Sequence, residues 1–128
     1  MIRYSCPCCG YPTLEQPRVW EICRLCGWED NGQDDLYADQ VWGGPNADYS
    51  LTEARANFKQ HYSMYRDPGN TLHQTEQELK AKWALMRAFD NLKNAPDASK
   101  PQQWLQITAL EGVLSDTVQA RIAGILYP

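Results

Sequence analysis

With 128 residues, the chain is long enough for one compact domain, or for a metal-supported module followed by a modest helical core. Hydrophobic residues make up 43%, with five Trp and seven Tyr as bulky core material, which excludes a disordered tail. The formal net charge of −4 argues against non-specific nucleic-acid binding, which depends on cations that neutralise phosphates.

The chain opens MIRYSCPCCGYPTL, and thirteen residues after Cys9 comes ICRLCG. Both contain C-x-x-C-G. In each such knuckle two sulfurs can reach one metal ion, and the following glycine, Gly10 or Gly27, can take the positive φ that a tight turn around the metal needs. The register that pairs Cys6 with Cys9 and Cys23 with Cys26 supplies four thiolates for one tetrahedral Zn²⁺ per chain and leaves Cys8 as a spacer, with an alternative ligand and an oxidisable thiol as its other readings. Four cysteines close the coordination sphere, so the ion is expected to be structural. Short strands and a turn between the knuckles would make this a zinc ribbon. No charged start leads into an apolar run, and no stretch approaches the roughly 18 apolar residues of a membrane span. The expected compartment is therefore a reducing cytosol, where disulfides are rare.

From Glu29 to Asp48 six acidic residues occur without one Lys or Arg. Turn formers such as Asn31, Gly32, Gly43, Gly44 and Pro45 mark a solvated loop. A Ca²⁺ loop fits poorly, because DNGQDD lacks the acidic alternation and the Glu at position twelve. An acidic face for a basic partner remains, with Glu29, Asp30, Asp34, Asp35 and Trp42 as the contact residues. Trp28, Tyr37, Trp42 and Tyr49 either bury this loop or, if exposed, serve as interface anchors.

At SLTE a capping box, Ser50 with Glu53, starts a helix that should reach about Tyr65, with Leu51, Ala54, Phe58, Tyr62 and Tyr65 on one face. DPGN at 67–70 ends it. A second helix is predicted from about Thr75 to Lys93, with Leu79, Trp83, Met86 and Phe89 as its stripe and Leu85 and Leu92 broadening it. NAPDASKP is the next break, where Ser99 and Gln102 form another candidate capping box. The last segment is one long helix or two short ones divided near Gly112. A helix-turn-helix reading of GVLSDTVQARI fails on spacing and on its single cation, Arg121.

Catalytic constellations are missing: His61 and His73 are isolated, and there is no nucleophile elbow or phosphate loop. The blocks CPCCGYPTL, ICRLCGWEDNGQDD and GGPNADYSLTEARANF, in this order, resemble the bacterial family known as the cysteine-rich CPCC domain, over the chain to about Phe58. The resemblance implies a zinc-ribbon-like module with an acidic segment and a helix. It also suggests an immunity role, since such small proteins are sometimes encoded beside secreted toxins. The expected architecture is a small α+β fold, with a zinc-ribbon module over 1–49 docked on a helical part over 50–128. The expected function is a non-enzymatic protein-binding module that neutralises a toxin domain with a basic active-site cleft, without nucleic acid or membrane. The alternatives are a nucleic-acid-binding regulator and an enzyme that uses the acidic loop.

Overall fold

The computed structural model describes residues 1–66 and 74–126; the DPGN break at 67–70 and His73 lie outside them. The chain divides into two compact units, Ile2–Leu72 and His73–Pro128, the latter grouped with Met1.

In the first unit, the two knuckles and the acidic loop precede one helix, α1, Leu51–His61. Ser50 caps it as predicted, its Oγ accepting from the Glu53 N–H at 3.0 Å. The box is only half made, because the Glu53 carboxylate turns to Arg66 at 2.9 Å. The helix stops four residues short of Tyr65. Tyr62 takes the left-handed conformation, φ 65°, and donates its N–H to the Phe58 carbonyl, an αL stop made without glycine. The expected face is right over the helical turns: Leu51, Ala54 and Phe58 are buried, with Leu14, Leu25, Trp28 and Met64 completing the core of this unit. Edge-to-face ring pairs Tyr11 with Phe58 and Phe58 with Tyr62 extend it.

The expected ribbon strands do not form. Among the described residues there is no β-strand, only single antiparallel bridges, Tyr4 with Leu14, Ile22 with Glu29 and Val41 with Ser50. The α+β zinc-ribbon assignment is therefore corrected to a helical protein whose cysteine knuckles sit in irregular chain. The reason lies between the knuckles. Pro12 and Pro17 cannot donate to a ladder, and Gly10, Arg18 and Trp20 all have positive φ, so no pairing propagates beyond one residue.

The second unit is built on α2, Glu76–Asn94, and α3, Lys100–Leu126. Thr75 caps α2 through the Glu78 N–H at 3.1 Å. Its buried face is Glu78, Ala81, Lys82, Leu85, Ala88 and Phe89, whereas Trp83 of the predicted stripe is 45% exposed. Leu85 and Phe89 are buried as expected, and two charged residues, Glu78 and Lys82, share their face. Glu78 accepts from Arg121 of α3 through both carboxylate oxygens, at 2.8 and 3.2 Å, in a pair almost sealed from water. Across the hairpin Phe89 meets Trp104 edge to face. Helix α3 runs through Gly112 unbroken, which removes the turn a helix-turn-helix would need. Ser99 belongs to a short 3-10 turn, Asp97–Ser99, and its hydroxyl donates to the Pro96 carbonyl, so the second capping box is not made. No helix among the described residues is long and apolar enough to cross a membrane.

Candidate metal centre

The two C-x-x-C-G segments fold alike, residue for residue. In the first, the Cys6 N–H donates to the Tyr11 carbonyl at 2.9 Å and the Gly10 N–H to the Cys6 carbonyl at 2.8 Å. In the second, Cys23 donates to Trp28 at 2.8 Å and Gly27 to Cys23 at 2.9 Å. Each turn closes through its glycine, Gly10 at φ 81° and Gly27 at φ 88°, as the sequence requires.

This brings Cys6, Cys9, Cys23 and Cys26 together, with all four sulfurs within 4.8 Å of one another. Cys6 and Cys26 Sγ are 3.6 Å apart, as are Cys9 and Cys23 Sγ. Four sulfurs at about 2.3 Å from a central ion form a tetrahedron with edges of about 3.8 Å, so the donor set fits a four-coordinate thiolate-bound metal. Thr13 Oγ1 donates to Cys23 Sγ at 3.1 Å, and the Trp28 N–H to Cys26 Sγ at 3.4 Å. Such donors to ligand sulfurs orient them and offset their negative charge.

Left to themselves, the four thiols cannot all ionise. Hydrogen bonds with Cys23, then with Cys26, push Cys6 and Cys9 far above the ordinary thiol value, and burial first, then Cys23, does the same to Cys26. Burial also opposes ionisation of Cys23, but hydrogen bonds from Cys26, Cys6, Cys9 and Thr13 outweigh it and hold that thiol well below its usual value. A central cation would offset the negative charge of four thiolates in so buried a site.

Cys8 lies outside the four-sulfur group, as the repeat register predicts. It is buried in the first knuckle at the position Leu25 holds in the second. Both spacers face the core.

The proposed contact residues scatter in role. Asp30 is only 4% exposed, and its Oδ2 accepts from the Arg18 N–H at 2.6 Å, so its carboxylate works inside the fold. Glu29 is half-buried and pairs its backbone with the Asn46 side chain, at 3.0 and 2.8 Å. Asp34 caps the turn Asp35–Tyr37 and faces Arg18 at 3.5 Å. Asp35 is exposed and pairs with Arg55 at 2.6 Å. Trp42 is 45% exposed, with Nε1 donating to Gln40 and its ring 5.7 Å from that of Tyr37. Asp48, left out of the contact set, is held below the usual carboxylate range by Arg66, whose Nη1 donates to both carboxylate oxygens at 3.1 and 3.0 Å.

Two residues that tie α1 to the knuckles carry no sequence signal. Arg55 donates to the Pro7 carbonyl at 2.9 Å, and the Met64 N–H to the Cys26 carbonyl at 2.9 Å. His61 ends α1 with Nε2 2.6 Å from the Tyr65 carbonyl, away from any cluster of ligating groups among the described residues.

Residues 4–78, more than half of the chain, match the family described as Cysteine-rich CPCC, and the chain belongs to that family. The match continues beyond Phe58, where the resemblance ended, and takes in the whole of α1. No curated protein and no solved structure matches the chain.

Proposed function

We propose that this cysteine-rich CPCC protein is a non-enzymatic protein-binding module, held in shape by one structural zinc ion, and that it acts as an immunity protein against a bacterial toxin. The observation that carries the proposal is the closed set of four buried or half-buried sulfurs at tetrahedral spacing, wired into the core through Cys26, Pro7 and Thr13. An all-sulfur tetrahedral site suits zinc, and four protein ligands leave no position for a reacting water. The ion therefore supplies shape, and the module's work falls to its surface.

Charge supports a protein partner over nucleic acid. Between Ile2 and Leu72 there are ten acidic and six basic side chains, whereas the rest of the chain has six of each. Four thiolates on a dication make the first unit more negative still. Such a unit is drawn to basic protein surfaces, including the cleft of a toxin that acts on nucleic acid, and is repelled by phosphates.

The test has two stages. Protein purified without added metal is assayed for elements, and one zinc per chain is expected. The protein is then co-expressed with the product of each adjacent gene, and relief of growth arrest together with a complex stable on size exclusion is expected from one of them. Micromolar binding to random duplex DNA that weakened steeply with salt would overturn the protein-binding reading in favour of a nucleic-acid-binding regulator. Stoichiometric iron with no zinc would overturn the metal assignment alone.

A further inference from the structure

The loop between the knuckles holds two side chains in a backbone region they avoid. Arg18 has φ 61° and Trp20 has φ 68°, and for a residue as bulky as Trp a positive φ is a true outlier. Such strain persists only where surrounding contacts impose it. Here they do. Asp30 accepts from the Arg18 N–H through Oδ2 at 2.6 Å and from the Trp20 N–H through its carbonyl at 3.0 Å, and donates its own N–H to the Glu21 carbonyl at 3.0 Å. Glu21 Oε1 in turn accepts from the N–H groups of Glu15 and Gln16 at 2.8 and 3.3 Å. Two carboxylates are thus committed to fixing one turn.

What this turn displays is apolar. Trp20 is 58% exposed, and Val19 and Ile22 beside it are 50% and 60% exposed. A loop that needed only to join two knuckles could use glycine at 18 and 20 and a polar residue at 19. Instead the fold holds an indole outward, in a conformation it resists.

Charge identifies the occupant. Arg18 faces Asp34 at 3.5 Å, and Glu21 and Asp30 are bonded to backbone, so the acidic groups nearest the tip are already engaged. The unit around it is nevertheless net negative, by ten acidic to six basic side chains. A second copy would bring two such units together, and an anionic membrane or a nucleic acid would meet the same repulsion. A protein surface with an apolar pocket and a basic rim meets both features, the indole in the pocket and the rim against the net negative charge of the unit as a whole.

We infer that the Val19, Trp20 and Ile22 loop is the docking anchor of the cysteine unit, and that its partner is a protein offering an apolar pocket rimmed by Lys or Arg. This rests on the protein-binding reading above and assigns its contact surface to the knuckle-connecting loop.

The test uses the full zinc-loaded chain as bait for a phage-displayed library of random peptides. Enriched peptides should combine Lys or Arg with aliphatic or aromatic residues. Trp20→Ala should weaken the best of them at least about tenfold, as expected of an interface aromatic, while Trp83→Ala, an exposed indole of the other unit, should leave binding unchanged. Trp20→Gly should lose binding equally while keeping or raising the melting temperature, because glycine accepts the positive φ. Peptides that bound Trp20→Ala as tightly as the parent would remove the loop from the interface and leave protein binding intact. A fall of more than about 5 °C in Trp20→Gly would make the ring part of the fold and overturn the anchor. No enrichment over a bait-free surface would overturn both readings.

Discussion

The backbone N–H of Met64 donates to the carbonyl of Cys26 at 2.9 Å, which places the segment after α1 directly on the second knuckle. The Met64 side chain is buried there, and the Tyr65 ring lies against Gly27. Asn57 holds the same return from inside α1, its Nδ2 donating to the Met64 carbonyl at 2.8 Å. The metal site and the end of the helix therefore support each other.

This contact separates two glycines that look equivalent in sequence. Both have positive φ, but a Cβ at residue 27 would meet Tyr65 Cε2 at 3.3 Å, whereas one at residue 10 would meet nothing within 4 Å. Gly10→Ala should cost about 1–2 kcal/mol from backbone strain alone. Gly27→Ala should cost roughly 1 kcal/mol more, because the ring must also move. Denaturant melts of the two metal-loaded variants would check this, and equal costs would mean that the Tyr65 contact carries no energy.

The ligands and the spacer make the next prediction. Cys9→Ser and Cys26→Ser should each lose the metal and unfold the first unit, since ligand binding and folding are coupled in such sites. Cys8→Ser should keep the metal, because its sulfur stands outside the four-sulfur group. Elemental analysis with circular dichroism reads both. Loss of metal in Cys8→Ser as complete as in Cys9→Ser would refute the register.

What could be read from the sequence was what repeats or what acts within a turn or two. The doubled C-x-x-C-G, the cap at Ser50, the start of α2 near Thr75 and the face of Leu51, Ala54 and Phe58 are of that kind. What could not be read depends on residues far apart. Arg18, Arg55 and Arg66 all come from outside the stretch Glu29 to Asp48 and pair with Asp34, Asp35 and Asp48 inside it. A count along the chain therefore overstated how open that acidic face is. Trp83 was misplaced on α2, where Leu85 and Phe89 are buried as expected, and Glu78 was missed: apolar periodicity treats Glu78 as a surface residue, and only Arg121, 43 positions later, makes it an inward one. The strands failed on local chemistry that was visible, namely two prolines, and on positive φ at Arg18 and Trp20 that was not.

The Glu78–Arg121 pair should behave as a buried ion pair. Its side chains are 4% and 8% exposed, and Arg121 Nη1 is buried without a partner. Removing one member strands the other, so Arg121→Met alone should cost roughly 3–5 kcal/mol. Glu78→Leu combined with Arg121→Met should recover most of that loss, because an apolar pair of similar volume needs no compensating charge. A double variant no more stable than Arg121→Met would mean that the pair sets the register of α2 on α3, which the substitution then loses.

The acidic loop makes the last prediction, and the arginine pairs change its form. Reversing Asp34 and Asp35 to Lys turns two carboxylates into cations, and should slow association with a basic protein partner and weaken its salt dependence. The same change also releases Arg18 and Arg55. Arg55 is the more consequential, because its Nε holds the Pro7 carbonyl within the first knuckle while its Nη2 holds Asp35. Exposed pairs of this sort contribute about 0–1 kcal/mol each, so the double reversal should lower stability by no more than about 2 kcal/mol. Trp42→Ala should cost about as little, since the indole is half exposed and its ring meets that of Tyr37, a contact worth roughly 0.5–1.5 kcal/mol. If Trp42 also meets the partner, the complex should dissociate faster while the free protein melts almost as before. Stopped-flow association at two salt concentrations, beside thermal melts of each free variant, reads both effects. An association rate that ignored charge reversal and salt alike would take Asp34 and Asp35 out of the steering role, and the contact would then rest on the apolar loops without electrostatic guidance.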